Sequence, residues 1–496
     1  MWSQYSILVI YFLTLFVIGY FASKRIKTIK DYYVGGKKLG YWVVAFSTRA
    51  TGESAWLLLG LTGMGAMAGV SAFWVVVGEV IGVAGAWLIM AKPFKRLTDQ
   101  YDSITIPDYL VSRFNSKTNR LRAISATVLS LFVVVYVSAQ IDATGSAFEG
   151  FLGWNYYVGA LVGFSIVLGY IFFGGFIAVA WSDLFQGMLM MLGLVLLPLV
   201  AYMVIDPVPG LIGGLKAIDP GLVNPWGIGG LKTENLFTIF GFAMIGLGFL
   251  GSPQLFVRFM SIKNEEEINK GRWVAIIFTV LTDSAAVMVG IIGRLIFSEQ
   301  GQDIELLLGN SGQNVLSMLV SEVMPAFIMG LYVAVVLAAI MSTIDSLLVV
   351  ASSAITRDFY QKIFRPSARE DALTGMSKRV TLLMAVLALL ISLVVAAGAP
   401  DRTIFCFVIS GWSGIAATFC PVIILSLFWK NYNEQGAIAS MVTGFISIPI
   451  FKFGVTKIPE IGIYFDKMDV MLPSFLLALL VGFVTTKLTV NRQNNL

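Results

Sequence analysis

Ser47-Thr48-Arg49-Ala50-Thr51-Gly52-Glu53-Ser54-Ala55-Trp56 is a polar, partly charged island between two apolar runs, Tyr41 to Phe46 and Leu57 to Leu61. It interrupts a segment otherwise apolar enough to cross a bilayer. An arginine or a glutamate in the middle of a membrane helix costs roughly 2.5 to 3.5 kcal/mol on insertion scales unless it pairs, faces a wet cavity or binds a ligand. The island therefore reads as a functional site. Gly52 and its small hydroxylated neighbours mark where the helix is expected to break, freeing backbone amides and carbonyls for an ion or solute.

Working outward, the composition is that of a polytopic membrane protein. Of 496 residues, 57% are hydrophobic and 13% charged, against roughly 25% charged in an average soluble domain, and the mean hydropathy is +0.83. The net charge of +5 is accounted for by Lys and Arg in loops beside apolar spans, so nucleic acid is set aside as a partner. The chain has no histidine, which excludes histidine proton relays, Cys/His metal centres and Ser-His-Asp chemistry. Cys406 and Cys420 fall on one predicted helix, about 21 Å apart at 1.5 Å per residue, too far to bridge.

Runs of about 20 apolar residues predict about thirteen spanning helices: 5–23, 41–68, 72–91, 120–148, 156–173, 177–205, 233–260, 271–297, 326–356, 376–398, 402–429, 435–454 and 469–489. Basic residues gather on alternate loops: Lys24 to Lys38; Lys92, Lys95, Arg96, Arg113, Lys117, Arg120 and Arg122; Arg258, Lys263, Lys270 and Arg272; Arg357 to Arg379. Those loops are assigned to the cytoplasm, which puts the N-terminus outside and the C-terminus inside the cell membrane. Lys216, Lys232, Lys452, Lys457 and Lys467 on the outer side weaken the contrast. Residues 1–23 lack a basic leader and read as a retained span rather than a cleaved signal. Residues 206–232 read as an external Gly- and Pro-rich loop, and 299–325 as external segments with a short helix, Asn314 to Met324. No non-spanning segment approaches the roughly 50 residues of a small domain. The chain is thus expected to be a single transmembrane domain, 1–496, with no obligate protein partner indicated.

A second interruption lies in helix seven, where Gly246-Leu247-Gly248-Phe249-Leu250-Gly251-Ser252-Pro253 places three glycines and a proline in a spanning run. Gly and Pro are common in membrane helices, but breaks at corresponding places in two halves point to a transporter site. Helix two would open one five-helix unit, 41–205, and helix seven a second, inverted one, 233–429. Residues 1–40 then form an extra helix and loop, and 430–496 two further helices.

In helix nine, Ala338-Ala339-Ile340-Met341-Ser342-Thr343-Ile344-Asp345-Ser346 holds three hydroxyls and a carboxylate within about two turns. Ser342, Asp345 and Ser346 share a face. Hard cations take oxygen ligands, and hydroxyls with carbonyls from a broken helix supply them. Asp183 in helix six is either a further ligand or an interfacial cap. Glu79 in helix three and Asp283 and Arg294 in helix eight are intramembrane charges that the sequence alone does not pair.

Ala45-Phe46-Ser47 through Trp56-Leu57-Leu58, Asp31-Tyr32-Tyr33-Val34-Gly35-Gly36, Ile106-Pro107-Asp108-Tyr109, and Ala339 to Thr343 with Ser352 to Thr356 resemble the solute:sodium symporter family, nearest its sodium/proline symporters. The resemblance implies an all-α, leucine-transporter-like fold with one helix before the ten-helix core and two after it. It implies a sodium ion held by the carbonyls of Ala50, Glu53 and Ala339 and the hydroxyls of Ser342 and Thr343. A second cation site, present in some members, would use Asp183, Ser342, Asp345 and Ser346. Gly52 stands where sodium/proline symporters have an aspartate, and Glu53 where they have a methionine. Three readings of Glu53 are open: it replaces that aspartate, pairs with Arg49, or accepts a proton. The substrate set is Arg49, Ser54, Trp56, Tyr136, Gln140, Phe249 and Pro253. Of these, Trp56, Tyr136 and Pro253 match the family, whereas Ile245 and Phe249 replace its proline-contacting Trp and Tyr. Arg49 would meet a carboxylate, or serve only to neutralise Glu53; Gln140 and Asp142 would meet an amine.

The expected function is a sodium-coupled secondary active symporter that imports a small organic solute, such as proline or a related amino acid, by alternating access. No cofactor is expected beyond the coupling sodium ion. The alternatives are a proton-coupled or mixed-cation symporter of another small solute, and a non-transporting membrane sensor of the same fold, against which the short tail after Val490 argues. An enzyme is set aside because no nucleophile, base and orienting group come together.

Overall fold

The computed structural model describes residues 2–204, 210–399 and 402–494. Among these the chain is helical throughout, and its one strand-like contact is the isolated bridge Leu39–Ile262. Eleven segments are long and apolar enough to cross a membrane. One of them, Tyr41–Gln100, contains two expected spans, and the shorter apolar helix Tyr156–Gly169 supplies another, so the thirteen expected helices are all present. We number them α1 (Trp2–Ser23), α2 (41–68), α3 (73–100), α4 (Arg120–Leu152), α5 (156–174), α6 (176–204), α7 (233–261), α8 (Glu265–Phe297), α9 (Ala326–Ser353), α10 (Glu370–Gly398), α11 (Ile404–Phe428), α12 (Glu434–Pro449) and α13 (Met471–Asn494).

Local chemistry sets many boundaries. Asn264 accepts the Glu267 amide and starts α8, with Glu265, Glu266 and Glu267 in its first turn, where carboxylates favour the positive end of the helix dipole. Gly153, left-handed at φ 66°, ends α4, and Thr403 caps α11 through the Cys406 amide. The described part of the expected 206–232 loop, from residue 210, carries the helix Leu211–Ile218 and a tight turn at Pro220–Val223. Residues 205–209, where the end of the expected 177–205 helix and the start of that loop fall, lie outside the described residues. The expected short helix of the 299–325 segment is Val315–Val323. Cys406 and Cys420 are free thiols on α11.

The most apolar stretch of the segment Phe327–Phe364 is buried along its whole length, so the hydroxyls and the carboxylate of α9 face protein rather than lipid. α9 packs on α1, α2, α4 and the α5–α6 segment. The basic loops meet at one end of the bundle, joined by Lys30–Asp102 at 2.6 Å, Lys37–Asp99 at 3.2 Å and Arg96–Glu265 at 2.9 Å. At the opposite end Trp154 donates to the Tyr5 hydroxyl at 3.2 Å, while Asn433 donates to Thr489 at 2.7 Å beside Thr118–Glu434 at the basic end. The two termini therefore lie at opposite ends. Arg258, read from sequence with the basic loops, is instead buried on the helix Pro253–Ser261, the second part of α7.

Candidate ion and substrate site

The first helix of the core breaks two residues later than expected. Ser54 has φ 50° and ψ −168°, a left-handed conformation that costs an L-residue free energy. Gly52 remains helical and serves close packing: a Cβ there would lie 2.7 Å from Phe249 Cε1. In α7 the break falls where the sequence placed it, at Gly251 with φ 155°, and Pro253 restarts the helix.

Beyond Thr51 the backbone bonding pattern changes hands. The Ala55 amide donates to Gln140 Oε1 at 3.1 Å, and the Thr51 carbonyl accepts the Thr343 hydroxyl at 3.1 Å. Ser342 Oγ lies 2.9 Å from the Ala50 carbonyl and 3.0 Å from that of Ala339. Thr343 Oγ1 also reaches Ala339 at 3.1 Å. The structure thus gathers Ala50, Ala339, Ser342 and Thr343 around one point, all fully buried. The Thr51 carbonyl joins this group through Thr343, while the Glu53 carbonyl accepts the Trp56 amide across the kink. Three carbonyls and two hydroxyls form an oxygen set suited to a small hard cation.

The expected second cation position is organised differently. Arg258 Nη2 lies 2.9 Å from Asp183 Oδ2 and 2.6 Å from Thr51 Oγ1, and it also contacts Ser346 Oγ. Ser47 donates to Asp183 at 2.6 Å and accepts from Arg258 Nε at 2.8 Å. A guanidinium thus stands between Asp183 and Ser346. Asp345 accepts the Ser346 hydroxyl at 3.2 Å, and Ser342 turns toward the first site. Asp183 is fully buried in this network and is no interfacial cap. Arg258 is the buried residue of this network that the sequence does not mark out by loop charge; its signal is an arginine inside the apolar run Leu255 to Met260.

Of the expected substrate residues, Tyr136 donates to Ser54 Oγ at 3.2 Å, and the Trp56 amide meets the same oxygen at 3.4 Å. Gln140 holds the Ala55 amide and leaves its own Nε2 buried without a partner. Phe249 packs on Trp412 at 5.2 Å between ring centres, and Trp412 on Tyr136 at 6.4 Å. Pro253 is buried at the start of the second half of α7. Ser54, Trp56, Tyr136, Gln140 and Phe249 therefore form one buried aromatic and polar layer beside the α2 break.

Arg49 belongs to a different group. It stacks over Phe249 at 4.7 Å, contacts Glu53 Oε1, and lies 3.3 Å from Glu79 Oε2. Of the open readings of Glu53, pairing with Arg49 is the one present in the geometry. Asp142 lies further toward the non-basic end. It is bound by Arg402, with Nε at 3.0 Å, and by the Tyr156 hydroxyl at 2.5 Å, in a polar cavity of about 240 Å³ lined also by Glu149 and Gln313.

With this geometry in hand, comparison with known proteins is direct. Residues 32–444 match the Sodium:solute symporter family. The chain is 34% identical over 474 residues, 95% of both chains, to the high-affinity proline transporter PutP of Bacillus subtilis. It is 32% identical to the osmoregulated proline transporter OpuE of the same organism, over 97% of this chain and 94% of the relative. It is 31% identical to sodium/proline symporter 2 of Staphylococcus saprophyticus, over 98% and 93%. Among solved structures, an outward-open, substrate-bound Na+-coupled sialic acid symporter matches with TM-score 0.80 and 18% identity, covering 98% of each chain. The closed conformation of Mhp1, a nucleobase-cation-symport-1 family transporter, matches with TM-score 0.58 and 12% identity over 93% of this chain and 95% of that one. These likenesses place the fold in the leucine-transporter-like class. Two interrupted helices, an oxygen-lined point between α2 and α9, and full-length similarity to sodium/proline symporters lead to one conclusion: the chain belongs to the sodium:solute symporter family, a membrane transporter and not an enzyme.

Proposed function

We propose that the protein imports proline, or an amino acid of closely similar size, with sodium. The observation that carries this reading is the convergence of the Ser342 and Thr343 hydroxyls of α9 on the Ala50 and Thr51 carbonyls at the α2 break. A sodium ion bound to Ala50, Thr51, Ala339, Ser342 and Thr343 bridges the two helices and fixes the backbone just before Ser54. Ser54 and Trp56, on the far side of the break, belong to the solute layer. Sodium occupancy therefore orders the solute site, and solute occupancy strengthens sodium binding by the same factor.

The names of the similar Bacillus and Staphylococcus proteins support proline as the solute. Phe249 gives the layer a more apolar wall than a tyrosine would, and Gln140 Nε2 is a buried donor free to meet a carboxylate. In this reading 41–205 and 233–429 act as two inverted units, the basic end faces the cytoplasm of the cell, and the N-terminus lies outside. One sodium site operates, because the Arg258 guanidinium holds the second cation position.

The test is binding by purified protein in sodium or in potassium, read by tryptophan fluorescence, since Trp56 and Trp412 line the layer. Saturable proline binding that requires sodium supports the reading. Equal binding in the two salts, or none for proline and its analogues, refutes it.

A further inference from the structure

Next to the solute layer, three carboxylates and one guanidinium are packed together in the membrane interior. One oxygen from each of Glu53, Glu79 and Asp283 lies within 4.8 Å of those of the other two. All three side chains and Arg49 are fully buried. Arg49 can balance one of the three charges, so the fully ionised cluster would carry two uncompensated negative charges away from water, which hydration strongly disfavours. The sodium site does not resolve this, because it draws on backbone carbonyls and on α9 hydroxyls.

We propose that Glu79 and Asp283 form a proton-binding site, with a proton held between Glu79 Oε1 and Asp283 Oδ2. One oxygen of Glu79 lies within 4.8 Å of one of Asp283, and two carboxyl groups close to a hydrogen bond only if one carries a proton. Their other oxygens are already committed, Glu79 Oε2 to Arg49 at 3.3 Å and Asp283 Oδ1 to the Thr282 hydroxyl at 3.0 Å. The oxygens left over, Glu79 Oε1 and Asp283 Oδ2, are buried and have no donor. A single proton between them satisfies both atoms.

The surroundings favour a proton over a metal cation. The charged and titratable groups facing the pair are Arg49 and Glu53 of α2 and Tyr136 of α4, while α7 presents the ring of Phe249. A permanent guanidinium at 3.3 Å repels a second cation, whereas a proton on the carboxyl pair leaves the Arg49–Glu53 ion pair undisturbed. The site is also placed to respond to the transport cycle. Glu53 adjoins the Ser54 break, Phe249 lies two residues before Gly251, and the α3 backbone at Gly78, next to Glu79, touches α7 at Gly246 with no room for a Cβ on either glycine. Motion of either interrupted helix changes the distances around the shared proton. The consequence is that a proton gradient acts on transport alongside the sodium gradient, an inference that rests on the symporter reading only in that last step.

Infrared difference spectroscopy on the purified protein, without solute, tests the site separately from that reading. At neutral pH the wild type should show a protonated-carboxyl C=O band, in sodium-free and in sodium-saturated buffer alike. Glu79→Gln and Asp283→Asn should each abolish it. If either folds poorly, Thr282→Val, which removes the hydroxyl on Asp283, should shift the band and leave it present. In liposomes with equal sodium on both sides, an inward proton gradient should raise proline uptake severalfold in the wild type. Absence of a protonated-carboxyl band, its loss on adding sodium, its survival in either isosteric variant, or its failure to move in Thr282→Val overturns the proposal. A band with all these properties in a protein that transports nothing would overturn the symporter reading instead.

Discussion

Arg258 Nη2 lies 2.9 Å from Asp183 Oδ2, both fully buried, with Ser47 and Thr51 hydrogen-bonded into the same contact. This pair joins the second half of α7 to α6 and α2 next to the proposed sodium site. Its position explains how an arginine and an aspartate coexist in the interior of a membrane bundle.

Removing one partner leaves the other charged and unpaired, a change that typically costs about 3–5 kcal/mol. Arg258→Gln is therefore expected to lower the thermal midpoint in detergent sharply. Adding Asp183→Asn to it should recover most of the loss, because the orphaned charge is gone. Thermal unfolding of the two singles and the double checks this; strictly additive losses would contradict it.

Thr343 bonds to both Thr51 and Ala339 at 3.1 Å. Thr343→Ala removes one oxygen from the proposed sodium set and should raise the half-saturating sodium concentration about tenfold, near 1.4 kcal/mol for a ligand to a charged group. Thr343→Ser keeps the hydroxyl and should stay close to the wild type. Sodium titration of transport at saturating proline is the measurement, and an unaltered half-saturation in Thr343→Ala would remove the residue from the site.

Tyr136 reaches Ser54 at the left-handed break, 3.2 Å from its hydroxyl oxygen. Tyr136→Phe deletes that bond and keeps the ring on Trp412. The expected loss of about 1 kcal/mol should appear as a several-fold higher KM for proline with sodium half-saturation little changed. A sodium defect without a change in KM would place Tyr136 with the ion instead.

At the basic end, the hydrogen bond from Lys30 at 2.6 Å holds the Asp102 carboxyl below its ordinary value of 3.8. A lowered carboxylate pKa contributes stability that is fully present above the unfolded value and fades as pH falls through the folded one. The pair is largely exposed, so the contribution is small. Lys30→Ala should leave the thermal midpoint at pH 7 nearly unchanged, and between pH 5 and 3 the mutant and wild-type curves should converge. Divergence on acidification would contradict the sign.

Much of this was legible in the sequence, for identifiable reasons. A bilayer demands long apolar runs, so the spans could be read almost directly. The polar island at 47–56 and the three glycines with Pro253 marked the two interruptions because such residues are costly in a plain spanning helix. The break fell at Ser54 rather than Gly52, because Gly52 is used to admit Phe249 and not to turn the chain; sequence shows that a glycine is needed without saying which need applies. That the Thr51 carbonyl meets Thr343 while the Glu53 carbonyl accepts the Trp56 amide has the same origin, since both depend on how the backbone turns at Ser54. Glu79 and Asp283 were visible as intramembrane charges but not as neighbours, for α3 and α8 are about two hundred residues apart in sequence. Arg258 was misread as a loop charge because it lies near a basic turn, and only packing reveals that its guanidinium is turned inward to Asp183.

The most direct test of the account is uptake of labelled proline into liposomes containing the purified protein, with an imposed inward sodium gradient. The structure predicts accumulation above the external concentration that collapses when a sodium ionophore is added and is strongly reduced by Thr343→Ala. Failure of a sodium gradient to drive accumulation of proline or any related amino acid would contradict it.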